Sequence, residues 1–74
     1  MKYSVDVIIE KDDDGYYAYC PALEGCQSQG GTFEEALANI QEAAELYWET
    51  LSPAEIESLT KTRVFTTALE VAVA

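Results

Sequence analysis

Between Tyr3 and Ile9 every second residue is apolar, with Tyr3, Val5, Val7 and Ile9 on one face and Ser4, Asp6 and Glu10 on the other. A period of two is that of a β-strand, and the pattern predicts one over Tyr3–Lys11, with Ile8 making the second face only partly polar. Asp12-Asp13-Asp14-Gly15 reads as a turn, because Asp and Gly tolerate positive φ. Tyr16–Cys20, rich in aromatic β-formers, pairs back as a second strand and is ended by Pro21, which has no N–H for the ladder. Leu23-Glu24-Gly25 is a loop, Cys26–Gln29 a short third strand, and Gly30-Gly31 breaks it. At Thr32 the period changes. Phe33, Ala36, Leu37, Ile40, Ala43, Ala44, Tyr47, Trp48 and Leu51 form one apolar stripe at 100° per residue, which predicts a helix over Phe33–Leu51. Thr32 and Glu35 have the spacing of a capping box, in which each caps the other's amide. Ser52 followed by Pro53 starts a second, short helix to about Leu59. From Thr62 to Val73 the period returns to two, with Phe65, Thr67, Leu69, Val71 and Val73 on one face of a last strand. The expected fold is α+β, ordered β-β-β-α-(short α)-β, with one main helix on a small, mostly antiparallel sheet.

At 74 residues the chain makes a single domain, and a domain of this size buries only about 60% of its unfolded surface. Self-association is therefore an expected source of further burial. No apolar stretch approaches the roughly 18 residues of a membrane span. The start Met1-Lys2-Tyr3-Ser4-Val5-Asp6 has an acid where an export signal needs an apolar run, so the expected location is the cytoplasm. Cys20 and Cys26 are too few for a tetrahedral zinc site in a chain without histidine. Two buried, inert thiols are expected in that compartment, with a reversible disulfide between facing strand ends as the alternative.

Charge changes the picture most. Fourteen acids face four bases, for a net charge of −10, and between Asp12 and Thr60 there are eleven acids and no Lys or Arg. Phosphate backbones are held by Lys and Arg, so this composition argues against direct nucleic-acid binding and favours a basic protein partner. Acidity that merely maintains solubility is the plain alternative. Candidate contacts are Asp12, Asp13 and Asp14 in the turn and Glu42, Glu45 and Glu49 on the outer side of the helix. In that helix, acids at contacting spacings repel, and those near its C-terminus oppose the dipole. Catalysis is not expected, because histidine, the commonest general base, is absent. The run from Glu10 to Gly15 imitates the start of a calcium loop, but Pro21 stands where the closing Glu is needed. Asp6 with Glu10 and Glu35 is a weaker candidate for holding magnesium. No cofactor motif is present.

The segment from Asp14-Gly15 through Pro21 and Leu23-Glu24-Gly25 to Gly30-Gly31-Thr32-Phe33-Glu34-Glu35-Ala36-Leu37 resembles the HicB antitoxin family. Its pattern is an Asp-Gly turn, a strand ending in Pro, a Leu-x-Gly loop, then Gly-x-Thr-x-Glu-Glu-Ala-Leu opening a helix. The combined spacing is specific, although each piece alone is weak, and the likeness extends over nearly the whole chain. The motif positions Gly15, Pro21, Gly25, Gly30, Thr32, Glu35 and Ala36 each have a structural reason, so the resemblance bears on fold more firmly than on activity. It implies a partial RNase H-like fold, self-association into a dimer or tetramer, and a partner of the HicA type, a small basic toxin that cleaves mRNA. The expected form is a short one, without the C-terminal DNA-binding module to which many HicB antitoxins continue. An interaction module with a different protein partner is the second reading, and a metal-dependent nuclease on the RNase H-like scaffold the third.

If the stripe is the core face, Ile40→Asp buries an unpaired charge and should unfold the chain. Circular dichroism of that variant checks the assignment, and a folded Ile40→Asp protein would place the core on another face.

Overall fold

The computed structural model describes residues 3–74; Met1 and Lys2, part of the stretch read for an export signal, lie outside the described residues. The elements run β1 (Ile8–Asp12), β2 (Gly15–Tyr19), β3 (Gln27–Gly30), α1 (Phe33–Trp48) and α2 (Pro53–Leu59). The strands form one antiparallel sheet in the order β1-β2-β3, and α1 packs on one of its faces. The arrangement is the α+β one that the two hydrophobic periods predict.

The hairpin register pairs Asp12 with Gly15, leaving Asp13 and Asp14 as the loop. Neither takes a positive φ; within this turn only Gly15 does, at 133°. A Cβ on Gly15 would also stand 2.9 Å from the Gly30 carbonyl oxygen, so both backbone angle and space demand glycine there. Asp12 sets the turn by accepting the Asp14 amide at 2.8 Å. Beyond β2, Pro21 opens a tight loop in which Leu23 N–H donates to the Cys20 carbonyl and Cys26 N–H to the Leu23 carbonyl. The Cys20 amide donates to Cys26 O at 3.1 Å in the register of the β2–β3 pairing and closes the loop; β2 ends at Tyr19 and β3 starts at Gln27, each one residue off the predicted bounds.

The fully buried residues are Ala18, Cys20, Leu23, Cys26, Ala36 and Ile40. Leu23 was not expected among them. Its segment reads as a loop, and it is one, but the loop folds inward and makes Leu23 a core side chain with 1% exposure. Around this centre pack Val5, Ile9, Tyr16, Ala43, Ala44, Tyr47, Trp48, Leu51 and Leu59. The stripe on α1 is thus the core face, but it is incompletely covered, since Phe33 and Leu37 remain 46% and 42% exposed.

The start of α1 sits hard against β3. An added Cβ on Gly30 would stand 2.6 Å from the Ala36 amide nitrogen and 2.9 Å from the Glu35 carbonyl carbon. Thr32 caps as predicted, accepting the Glu35 amide at 3.0 Å. Glu35 reaches back one residue further than expected, to the Gly31 amide at 3.3 Å instead of that of Thr32. Asn39 adds a tie by donating to the Gln29 carbonyl at 2.8 Å. The helix ends at Trp48, three residues short of the predicted Leu51, where the chain tightens as Thr50 N–H donates to Tyr47 O and Leu51 N–H to Trp48 O. Ser52 and Glu55 then form the full capping box that opens α2, and those bonds from Ser52 hold the Glu55 carboxyl below its usual range.

Two strand predictions need correction. Residues 3–7 belong to no ladder, so β1 begins at Ile8, and Thr62–Val73 forms no strand at all. Alternation selects a half-buried strand only where a neighbouring backbone accepts its hydrogen bonds, and among the described residues neither stretch is paired in a ladder. The tail's recorded tie to the body is the Val64 amide on Asp6 Oδ2 at 3.2 Å. Beyond it Phe65, Leu69, Val71 and Val73 are 74–88% exposed.

Both cysteines are buried and free, as expected. Burial, with the Cys26 thiol beside it, pushes the Cys20 thiol from 9.0 up to about 11.

Two outcomes follow from this packing. Gly30→Ala must push α1 off β3, and urea titration should register a loss of about 1–3 kcal/mol. Cys20 holds its proton more tightly folded than unfolded, so its contribution to stability is complete below pH 9 and lost as pH rises toward about 11. Melting temperatures across that window should fall, and the fall should be shallower for Cys20→Ala.

Candidate functional site

The hairpin turn and the outer side of α1 supply the acidic residues singled out from the sequence, and all of them are exposed: Asp12, Asp13, Asp14, Glu42, Glu45 and Glu49. They form two groups, not one. In the first, the turn overhangs the start of α1, because the Gly15–Gly30 approach draws the hairpin end toward the helix N-terminus. A shallow depression there is lined by Asp12, Asp14, Tyr16, Gly30 and Glu35. Two of its carboxylates are already employed: Asp12 fixes the turn and Glu35 the helix entry. Asp14 and the neighbouring Asp13 carry the outward charge. The basic side chain next to the turn, Lys11, lies over the Tyr16 ring at 5.9 Å from its centroid.

In the second group, Glu45 and Glu49 rim a groove of about 740 Å³ between the residues leading into β1 and the second half of α1. Glu42 is exposed on the same helix but does not line that groove. The last turn of α1 contains no base, and acids in this position oppose the helix dipole by about 0.3–1 kcal/mol each. A cation placed here would relieve both that opposition and the repulsion among neighbouring glutamates. The groove floor is apolar, made by Tyr3, Val5, Val7, Leu37, Ala44 and Trp48; Tyr3 stacks on Trp48 with centroids 5.2 Å apart. Nothing in the acidic pattern signalled this groove, which exists because α1 lies mainly over β2 and β3 and leaves the β1 side of the sheet thinly covered.

The opposite face of the sheet carries Tyr17 and Tyr19, stacked along β2 at 5.5 Å between centroids. Tyr17 Oη donates to Gln27 Oε1 at 2.6 Å. Tyr16 points the other way, edge-on to Phe33 at 6.4 Å. The three neighbouring tyrosines therefore divide between two faces, as strand alternation requires.

The motif positions have visible structural roles. Gly15 and Gly25 supply the positive φ values among the described residues, Pro21 follows the end of β2, Gly30 and Ala36 make the closest strand–helix approach, and Thr32 with Glu35 caps α1. The candidate magnesium carboxylates do not assemble. Asp6 is engaged with the Val64 amide, Glu35 with Gly31, and among the described residues no three of His, Cys, Asp or Glu are grouped to hold a metal ion. No described helix is long and apolar enough to cross a membrane.

A family profile described as HicB-like antitoxin of bacterial toxin–antitoxin systems matches residues 4–71. A UPF0150 protein of Helicobacter pylori is 46% identical over 70 residues, covering 95% of this chain and 97% of the relative. A UPF0150 protein of Synechocystis is 60% identical over 50 residues, 66% of this chain and 63% of that protein. One from Thermoplasma acidophilum is 58% identical over 52 residues, 69% and 72% of the two chains. No solved structure matches. The match from residue 4 to residue 71 spans the hairpin, the inward loop, the capped helix and most of the tail, and by it the chain belongs to the HicB-like antitoxin family.

Proposed function

We propose that this protein is an antitoxin that binds and neutralises a small basic HicA-type toxin, an mRNA-cleaving protein, and that it does so in the cytoplasm as a single self-associating domain without catalysis of its own. The observation that carries this reading is the joining of family membership with a surface bearing eleven acids and no base between Asp12 and Thr60. A protein that cleaves RNA needs a cationic groove for the phosphates, and an acidic surface can occupy that groove in their place. For the same reason the chain does not itself bind DNA or RNA.

Two faces are available for the contact. Asp13 and Asp14 present outward charge at the turn, with Asp12 holding them in place. Glu42, Glu45 and Glu49 present it along α1, where a cation also relieves the opposition to the helix dipole. The helix face is favoured by that added term. The second reading, an interaction module with another protein partner, draws on the exposed Tyr17 beside Tyr19 on the open sheet face, since tyrosine is enriched in contact surfaces.

Stopped-flow association with a purified basic protein of the HicA type decides between them. Because steering is screened within about 8 Å at physiological salt, the rate should fall roughly tenfold or more between low and high ionic strength. Glu42, Glu45 and Glu49 changed together to Lys should slow it further, while Asp13→Lys with Asp14→Lys changes it less. A rate indifferent to salt and to both reversals removes electrostatic capture. Binding lost only when Tyr17 and Tyr19 are replaced by Ala moves the contact to the open sheet face, and no binding to such a protein at all leaves the second reading.

A further inference from the structure

The chain carries two unpaired backbones of complementary kind. Residues 3–7 run along the free edge of the sheet just before β1. Their apolar face, Tyr3, Val5 and Val7, forms one wall of the groove whose other wall is Leu37, Ala44 and Trp48 of α1. Residues 64–73 alternate Phe65, Thr67, Leu69, Val71 and Val73 on one face with Val64, Thr66, Ala68, Glu70 and Ala72 on the other. That is the pattern of a strand with one large apolar face to bury and one small or polar face for solvent. A sheet edge with an apolar groove beneath it takes such a strand by β-augmentation.

The tail does not occupy the groove of its own chain. Asp6, which does not line the groove, accepts the Val64 amide, and beyond it Phe65 and Val73 are both 88% exposed. The radius of gyration is 14.6 Å and the long axis 49 Å, against roughly 11 Å for the radius of a compact chain of this length. We propose that the 64–73 segment of each chain adds as a fourth strand to the β1 edge of a second copy, its Phe65–Val73 face filling the partner's groove, so that two copies exchange tails about a twofold axis.

Three features of the chain select a second copy as the occupant. The segment holds a single charge, Glu70, and an apolar tail matches an apolar groove better than a cationic partner does. Each copy owns one tail and one groove, so a reciprocal exchange leaves neither unmatched, as a twofold interface requires. The area also suffices. Phe65 alone offers on the order of 150 Å², and two tails with two grooves reach the roughly 1,200–2,000 Å² of a stable interface. The inference rests on the self-association proposed above and is independent of the toxin.

Complementation of two variants tests it. Leu69→Asp spoils the tail and Leu37→Asp the groove; both side chains are exposed within one chain, so neither touches the buried core. By analytical ultracentrifugation the wild-type protein should have twice the mass of the 8.2 kDa chain, each variant alone should be monomeric, and an equimolar mixture should recover dimer, because the tail of the Leu37→Asp chain fits the groove of the Leu69→Asp chain. Hydrogen exchange of the wild-type protein gives a reading that needs no variant: amides 64–73 should be protected in the dimer and lose protection on dilution. Protection that survives dilution to monomer places the tail on its own chain and overturns the exchange. A monomeric wild type overturns both exchange and self-association. A dimer indifferent to both substitutions, or a mixture that stays monomeric, overturns the exchange alone.

Discussion

The first turn of α1 rests directly on β3 at a point where the strand has no side chain. With the Ala36 amide nitrogen 2.6 Å from where a Gly30 Cβ would be, no other residue permits that approach, and the rest of the fold is arranged around it. Ala36 is small enough to be fully buried there, and one turn further Ile40 reaches the centre of the core. Gly15 repeats the logic from the other side, bringing the hairpin turn against Gly30. Three elements thus converge on a contact made of backbone, and the capping bonds of Thr32 and Glu35 fix the helix axis as it leaves. A core of so few side chains has little margin for loss, which explains why the family's motif is made mostly of glycines, a proline and cap residues instead of reactive groups.

The same geometry separates the acidic surface from the apolar one. Seating α1 over β2 and β3 leaves the β1 side thinly covered and opens the groove rimmed by Glu45 and Glu49. The turn acids lie at the opposite end of the helix, around the depression that Glu35 lines. One small protein therefore offers an acidic face for a cationic partner and an apolar groove for an uncharged strand. If the two contacts proposed above form, salt acts oppositely on them: it screens attraction to a basic toxin, and it screens repulsion between two chains each carrying −10.

Much of this was legible in the residues. The hairpin turn, the Pro21 stop, the Thr32 cap and the helix stripe all follow from interactions within a few positions of one another, and the structure reproduces them to within one to three residues, whereas the first strand starts five residues later than its alternation predicts. Leu23 was not legible as core, because a Leu between Ala22 and Glu24 in a loop carries no periodic signal; it is buried because three backbone hydrogen bonds between Cys20, Leu23 and Cys26 turn the loop inward. Glu35 capping Gly31 instead of Thr32 is a difference of one amide that spacing rules do not resolve. The acidic candidates were legible as exposed, but their division into two groups was not, since it depends on which end of α1 the hairpin meets.

By itself the sequence determined the kinds and order of the elements from the hairpin to α2, the core face of α1, the family and the sign of the surface, since local period, turn chemistry and charge count do not depend on distant neighbours. The tertiary structure alone decided where α1 sits on the sheet, that Leu23 closes the core, and that a groove remains beside β1. It also decided that residues 3–7 and 62–73, which read as strands, have no partner within one chain. Alternation reports which face of a strand is apolar; it does not report whose backbone will lie beside it.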